Sequence, residues 1–82
     1  MNNGEITYAQ LTEKLARLGY RQTRKTLQGK STRIYEHHKI EDATMFLPDG
    51  GDQEVVPAPL VGKVLLILRT YGLVEKQNAL LA

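Results

Sequence analysis

Tyr8, Leu11, Leu15 and Leu18 recur at spacings of three, four and three along an otherwise polar segment. That period is one stripe of an α-helix, and it predicts a helix over 7–18 whose apolar edge faces a core. Thr7 suits the N-cap, because its hydroxyl can accept a first-turn amide. Gln10, three residues on, can reach back to the Thr7 amide and complete a capping box. Glu13 and Arg17 stand four apart on the polar side, in the favourable orientation. Gly19 supplies the left-handed residue that ends helices, after which Tyr20 folds back toward Leu15 or Ala16.

From Tyr20 the period changes. Residues 20–27 are polar but rich in Thr, Tyr and long side chains, which suits an exposed strand. Leu27-Gln28-Gly29-Lys30 is the turn, with Gly29 the residue that takes a left-handed backbone without penalty. Residues 32–37 alternate, with Thr32, Ile34 and Glu36 on one side and Arg33, Tyr35 and His37 on the other. A third strand over 43–47 stops at Pro48, and Asp49-Gly50-Gly51-Asp52 is a loop. Connections this short impose an antiparallel meander.

Val55 and Val56 form a brief extended segment, and Pro57 or Pro59 opens a second helix. Leu60, Val61, Val64, Leu65, Ile67, Leu68 and Tyr71 cover nearly its whole circumference, and Gly72 ends it. So apolar a helix needs the sheet on one side and further cover on the other, from the first helix, the tail 73–82 or a second subunit. Tyr8 and Tyr71 are assigned to the core. The predicted class is α+β in the order α-β-β-β-α, with both helices on one face of a three-stranded antiparallel sheet and water on the other. Two registers fit the second strand. One turns Ile34 to the helices and exposes Arg33, Tyr35 and His37; the other buries Tyr35 and exposes Ile34.

With 82 residues the chain makes one domain, 1–82, with residues 1–5 and 75–82 expected to fray. It has no cysteine, so neither disulfides nor cysteine-ligated zinc supplement a core drawn from 41% hydrophobic residues. No amino-terminal run resembles a signal peptide, and the apolar stretch 64–68 is far shorter than the roughly 20 residues a bilayer requires. A cytoplasmic protein with no membrane partner is therefore expected. The net charge of +2 says little, but its distribution says more. Lys14, Arg17, Arg21, Arg24, Lys25, Lys30, Arg33 and Lys39 face only Glu36 within that span, while Glu41, Asp42, Asp49, Asp52 and Glu54 cluster later. This segregation suits an anionic partner on the first half of the fold. Arg21, Arg24, Lys25, Lys30 and Arg33 are candidates to track phosphates, and Tyr35 between Arg33 and His37 to stack on a base.

His37 and His38 are the only histidines. Adjacent strand residues point to opposite faces, so the pair makes no metal site, and His37 stands as a phosphate contact or acid–base group. The carboxylates around Gly50-Gly51 lack the 12-residue register of a calcium loop and read as a solvated connector. Gly29-Lys30-Ser31 lacks the upstream glycine of a phosphate-binding loop. No cofactor is indicated.

Three segments, "LTEKLARLGY", "GKSTRIYEH" and "LVGKVLLILRTYGL", follow one another in an order that resembles the HicA-type toxins, over about residues 8–74. The resemblance implies a double-stranded-RNA-binding-domain-like fold, RNA binding, mRNA cleavage, and a cognate antitoxin protein as partner. Ser31 matches the family's serine, whereas Lys30 stands in a glycine position and Thr32 in that of the catalytic histidine. A threonine hydroxyl does not titrate near neutral pH, so the implied function is RNA binding with catalysis lost or weak. Arg21, Arg24, Lys25, Lys30, Ser31, Thr32, Arg33 and Tyr35 are then the candidate nucleic-acid contacts, with His37 the candidate catalytic group. The alternative is a protein-interaction module or homodimer assembled through the closing helix and the tail "NALLA".

Overall fold

In the computed structural model, which describes residues 5–74, the first helix, α1, runs Tyr8–Arg17. Both halves of the capping box form, with Thr7 Oγ1 accepting from the Gln10 amide at 3.2 Å and Gln10 Oε1 accepting from the Thr7 amide at 2.9 Å. Such a cap contributes about 1 kcal/mol to helix stability. Arg17 bridges Glu13 at 2.6 Å on the exposed side, while Tyr8, Leu11 and Leu15 are buried. Gly19 ends the helix at φ +100°.

Two long strands follow, β1 (Tyr20–Leu27) and β2 (Lys30–His37), then a 3-10 turn at Glu41–Ala43 and a short β3 (Met45–Pro48). They form one antiparallel sheet in the order β1-β2-β3. Leu27 pairs with Lys30, so the hairpin loop is only Gln28 and Gly29. Both have positive φ, 52° and 77°, the mirror-image turn whose twist matches that of the strands. Gln28 thus shares the left-handed role expected of Gly29 alone. Ala43, expected in the third strand, belongs instead to the 3-10 turn, where its carbonyl accepts from Tyr20 Oη at 2.9 Å. Burial pushes the Tyr20 hydroxyl up to about 12.

The last helix, α2, runs Ala58–Thr70 with Pro57 at its N-cap, and Gly72 follows it at φ +71°. A single cluster joins Tyr8, Leu11 and Leu15 of α1, Tyr20, Tyr35, Met45 and Leu47 of the sheet, and Val61, Val64, Leu65 and Leu68 of α2. Cross-strand pairing puts Tyr35 opposite Met45 and Arg33 opposite Leu47. Those sheet residues share one face, and both helices cover it. The second of the two registers is therefore the one adopted: Tyr35 is buried against the helices and Ile34 lies on the other face. Ile34 is nevertheless buried there, between its cross-strand neighbours Thr23 and Phe46.

Tyr71, assigned to the core by its spacing, is exposed, because it is the C-cap of α2 and lies past the helix's buried stripe. Leu66 is the large apolar side chain that α2 itself leaves in water. Of the tail over 73–82, Leu73 and Val74 pack half-buried against the core, while the expectations for 75–82 and for residues 1–4 fall outside the described residues. Among the described residues, no helix is long and apolar enough to cross a membrane.

Candidate functional site

Because side chains alternate along β1 and β2, the hairpin cations fall into two sets. Arg21, Lys25 and Lys30 lie on the face away from the helices, in register with Glu36, Thr32 and Leu27. All three are exposed, and none forms an ion pair or side-chain hydrogen bond within the described residues. Thr32, half-buried between Lys25 and Pro48, belongs to the same face. So does Phe46, whose ring is 60% exposed. The sequence reading passed over Phe46, though its alternation with buried Met45 and Leu47 is the signal that points it outward.

Arg24, Ser31, Arg33, Tyr35 and His37 lie on the helix-covered face, and here the expected contacts need correction. Arg33 is only 1% exposed. Its Nε donates to Asp49 Oδ1 at 2.7 Å, and its Nη2 donates to Asp52 Oδ1 and the Gly50 carbonyl, each at 2.7 Å. Nη1 donates to Gln22 Oε1 at 3.2 Å, and the guanidinium carbon lies 4.9 Å from the centroid of the Tyr8 ring. Burial alone would lower the pKa of the guanidinium. Hydrogen bonds led by the one to Asp52 outweigh it and raise the group, so Arg33 is a permanent buried cation. Arg24 adds longer contacts, 3.5 Å to Asp49 Oδ2 and 3.3 Å to Asp52 Oδ1. Ser31 Oγ donates to Asp49 Oδ2 at 2.7 Å. That hydrogen bond, with Arg33 behind it, holds the Asp49 carboxyl below the usual range; the bond from Arg33 does the same for Asp52. Buried charges survive only when paired and hydrogen-bonded, and this cage meets both conditions.

The Asp49–Asp52 loop, solvated as expected at Gly51 and Asp52, is therefore more than a connector. It wraps Arg33 and is bonded to the first turn of α1, where the amides of Tyr8 and Ala9 donate to the carbonyls of Glu54 and Asp52 at 3.0 and 2.9 Å. Val55 bridges Thr7 beside it. A Cβ at Gly50 would come within 2.6 Å of the Tyr8 ring, so only glycine lets the backbone pass. Tyr35 is also beyond the reach of a base. Its hydroxyl donates to Thr12 Oγ1 at 2.8 Å, and Thr12 in turn donates to Gln22 Oε1 at 3.0 Å. The acids that follow β3 in sequence thus neutralise two of the cations that precede it, and the segregation of charge along the chain is undone in space.

His37 is built into the frame as well. Its Nδ1 accepts from the amides of Lys39 and Ile40 at 3.1 and 3.2 Å, which leaves the proton on Nε2. Nε2 then donates to the carbonyl of Leu18, the C-cap of α1, at 2.8 Å. Both nitrogens of the imidazole are thus engaged by backbone groups of the fold. Tyr20 meets the ring edge-on at 5.1 Å. His38, beyond the strand end, does not point to the opposite face as strand alternation implied: the two imidazoles sit 4.9 Å apart. A Cβ on Gly19 would strike both rings, at 2.8 and 2.6 Å. Arg21, Glu36, His37 and His38 line a pocket at this end of the sheet. Among the described residues, no three His, Cys, Asp or Glu side chains gather where they could hold a metal ion.

Of the nine candidate residues, then, the fold brings Arg21, Lys25, Lys30 and Thr32 onto one accessible face and commits the other five to internal contacts. Comparison with protein-family models, with curated proteins and with solved structures finds no match for this chain.

Proposed function

We propose that the chain is a small nucleic-acid-binding protein, that it engages its ligand through the uncovered face of the β1–β2 hairpin, and that it has little or no nuclease activity. The observation that carries this reading is the set of three cations, Arg21, Lys25 and Lys30, standing unpaired among the described residues on a face whose strand residues include one carboxylate, Glu36. Unpaired surface cations are the electrostatic footprint that a phosphate backbone meets. The resemblance of "GKSTRIYEH" to HicA-type toxins supports the same reading, and makes RNA and a cognate antitoxin the first partners to try. Engagement of both His37 nitrogens, together with Thr32 in the family's histidine position, supports the absence of cleavage.

Affinity for short RNA measured across a salt series tests this. Each phosphate neutralised on a single strand contributes a slope of about −0.7 in log K against log salt. Three contacts give a slope of about −2, and changing Arg21, Lys25 and Lys30 together to alanine should abolish most of it. An affinity indifferent to salt, or no binding at low salt, would sink the proposal.

A further inference from the structure

Phe46 is the feature that a purely electrostatic account leaves over. An aromatic ring 60% exposed in the middle of a strand forgoes stabilisation that Met45 and Leu47 on either side of it obtain by burial. The ring closes the row Thr23–Ile34–Phe46, which crosses all three strands of the uncovered face. On the far strand of that face, Arg21 stands one pleat to one side of this row and Lys25 one pleat to the other, about 13 Å apart along the strand. A π face on one edge strand with cations along the opposite edge of the same sheet face can hold an unpaired base by stacking while neighbouring phosphates are neutralised across the sheet.

From this juxtaposition we infer that the uncovered face binds single-stranded nucleic acid, with one base stacked on Phe46 and the backbone running past Lys25 or Arg21. The inference rests on the nucleic-acid reading above and narrows its substrate class. A duplex keeps its bases stacked on one another and presents only its backbone, so it gains nothing from the ring. A second copy of the chain is a poor occupant, because joining two such faces sets Arg21, Lys25 and Lys30 against their own like charges, with Glu36 the lone compensating group among the strand residues of each face.

The experiment compares a short uridine oligonucleotide with a duplex of similar length, using the whole chain and its variants Phe46→Ala, Phe46→Leu and Phe46→Trp. Loss of one base–aromatic stack weakens binding about 5- to 150-fold. Phe46→Ala and Phe46→Leu should each lose affinity for the single strand within that range while keeping the salt slope, and Phe46→Trp should keep or improve it. Phe46→Leu preserves an apolar cover over Ile34, so an equal loss in both variants separates lost stacking from lost folding, which a thermal melt checks. Duplex affinity should be indifferent to all three. If the oligonucleotide binds with the cation-dependent slope but ignores Phe46, stacking is overturned and the electrostatic proposal stands. If the duplex binds as tightly as the single strand and responds equally to Phe46, the substrate class is wrong. If neither binds, the nucleic-acid reading falls and takes the stacking with it.

Discussion

On the covered side of the hairpin, Arg33 and Arg24 meet Asp49 and Asp52; on the uncovered side, Arg21, Lys25 and Lys30 meet no carboxylate within ion-pair distance among the described residues. The two sets alternate along the same two strands, one residue apart at Arg24 and Lys25, yet they are different kinds of charge. The covered set is paired, and Arg33 within it is buried, so it specifies how the Asp49–Asp52 loop sits on α1. The uncovered set is hydrated and adds almost nothing to folding, which leaves it available to a ligand. A run of basic residues in a sequence is therefore not one patch: strand parity divides it, and the downstream acids decide which half is left over.

The division is broken most forcefully at Arg33. Arg33→Met keeps an unbranched side chain and removes its charge, leaving Asp49 and Asp52 without their main counter-ion. The substitution also takes the buried donors from Gln22 Oε1 and the Gly50 carbonyl, and leaving such acceptors without a partner costs about 1–3 kcal/mol, a sizeable share of the roughly 5–15 kcal/mol that holds a small domain together. Urea denaturation should show this loss. Adding Asp49→Asn and Asp52→Asn to Arg33→Met should restore part of it, since the uncompensated charges then go too. A cost under about 1 kcal/mol for Arg33→Met would mean that the cage is decoration and that the two faces do not differ.

Acid sharpens the same contrast, because the covered cations are held by carboxylates whose protonation is displaced by the fold. The folded-state values of Asp49 and Asp52 lie below their unfolded value of about 3.9. Their contribution is therefore complete above that value and is lost as pH falls through the depressed folded values. The melting temperature should drop below about pH 4, and the drop should flatten in Asp49→Asn. An acid limb that Asp49→Asn leaves unchanged would place the titrating group elsewhere.

Much of the frame could be read from the residues alone. The capping box at Thr7 and Gln10, the stripe Tyr8–Leu11–Leu15, Gly19, the hairpin and the meander all depend on local chemistry, which a sequence carries in full. The site did not read as well, for a physical reason. Whether Arg33 or Ile34 faces the helices depends on what waits beneath, and what waits is a pair of carboxylates 16 and 19 residues downstream. A clue was present in the alternation itself, since Arg33 shares its parity with Tyr35, and an arginine on a buried parity demands acids nearby. The surroundings of His37 were illegible for a related cause. The roles of its two nitrogens are set by Leu18, Lys39 and Ile40, and no local pattern announces that a histidine is serving as a strut.

The smallest effect belongs to the uncovered face, and its smallness is the point. Arg21→Ala, Lys25→Ala and Lys30→Ala should each change stability by no more than about 0.5 kcal/mol, as surface substitutions away from special features do. Two minor contributions oppose each other there: the aliphatic stems cover some apolar surface near Ile34 and Leu27, while their like charges repel. The triple variant should therefore melt within a few degrees of the parent even where its RNA affinity has collapsed. It should also self-associate more readily with rising concentration. β1 is an edge strand eight residues long, and cations along such an edge deter pairing with another chain. Sedimentation over a concentration series measures that. A triple variant that unfolds, or loses more than about 2 kcal/mol, would show these cations to be structural like Arg33, and a surface engaged in holding the fold together is not one left over for a ligand.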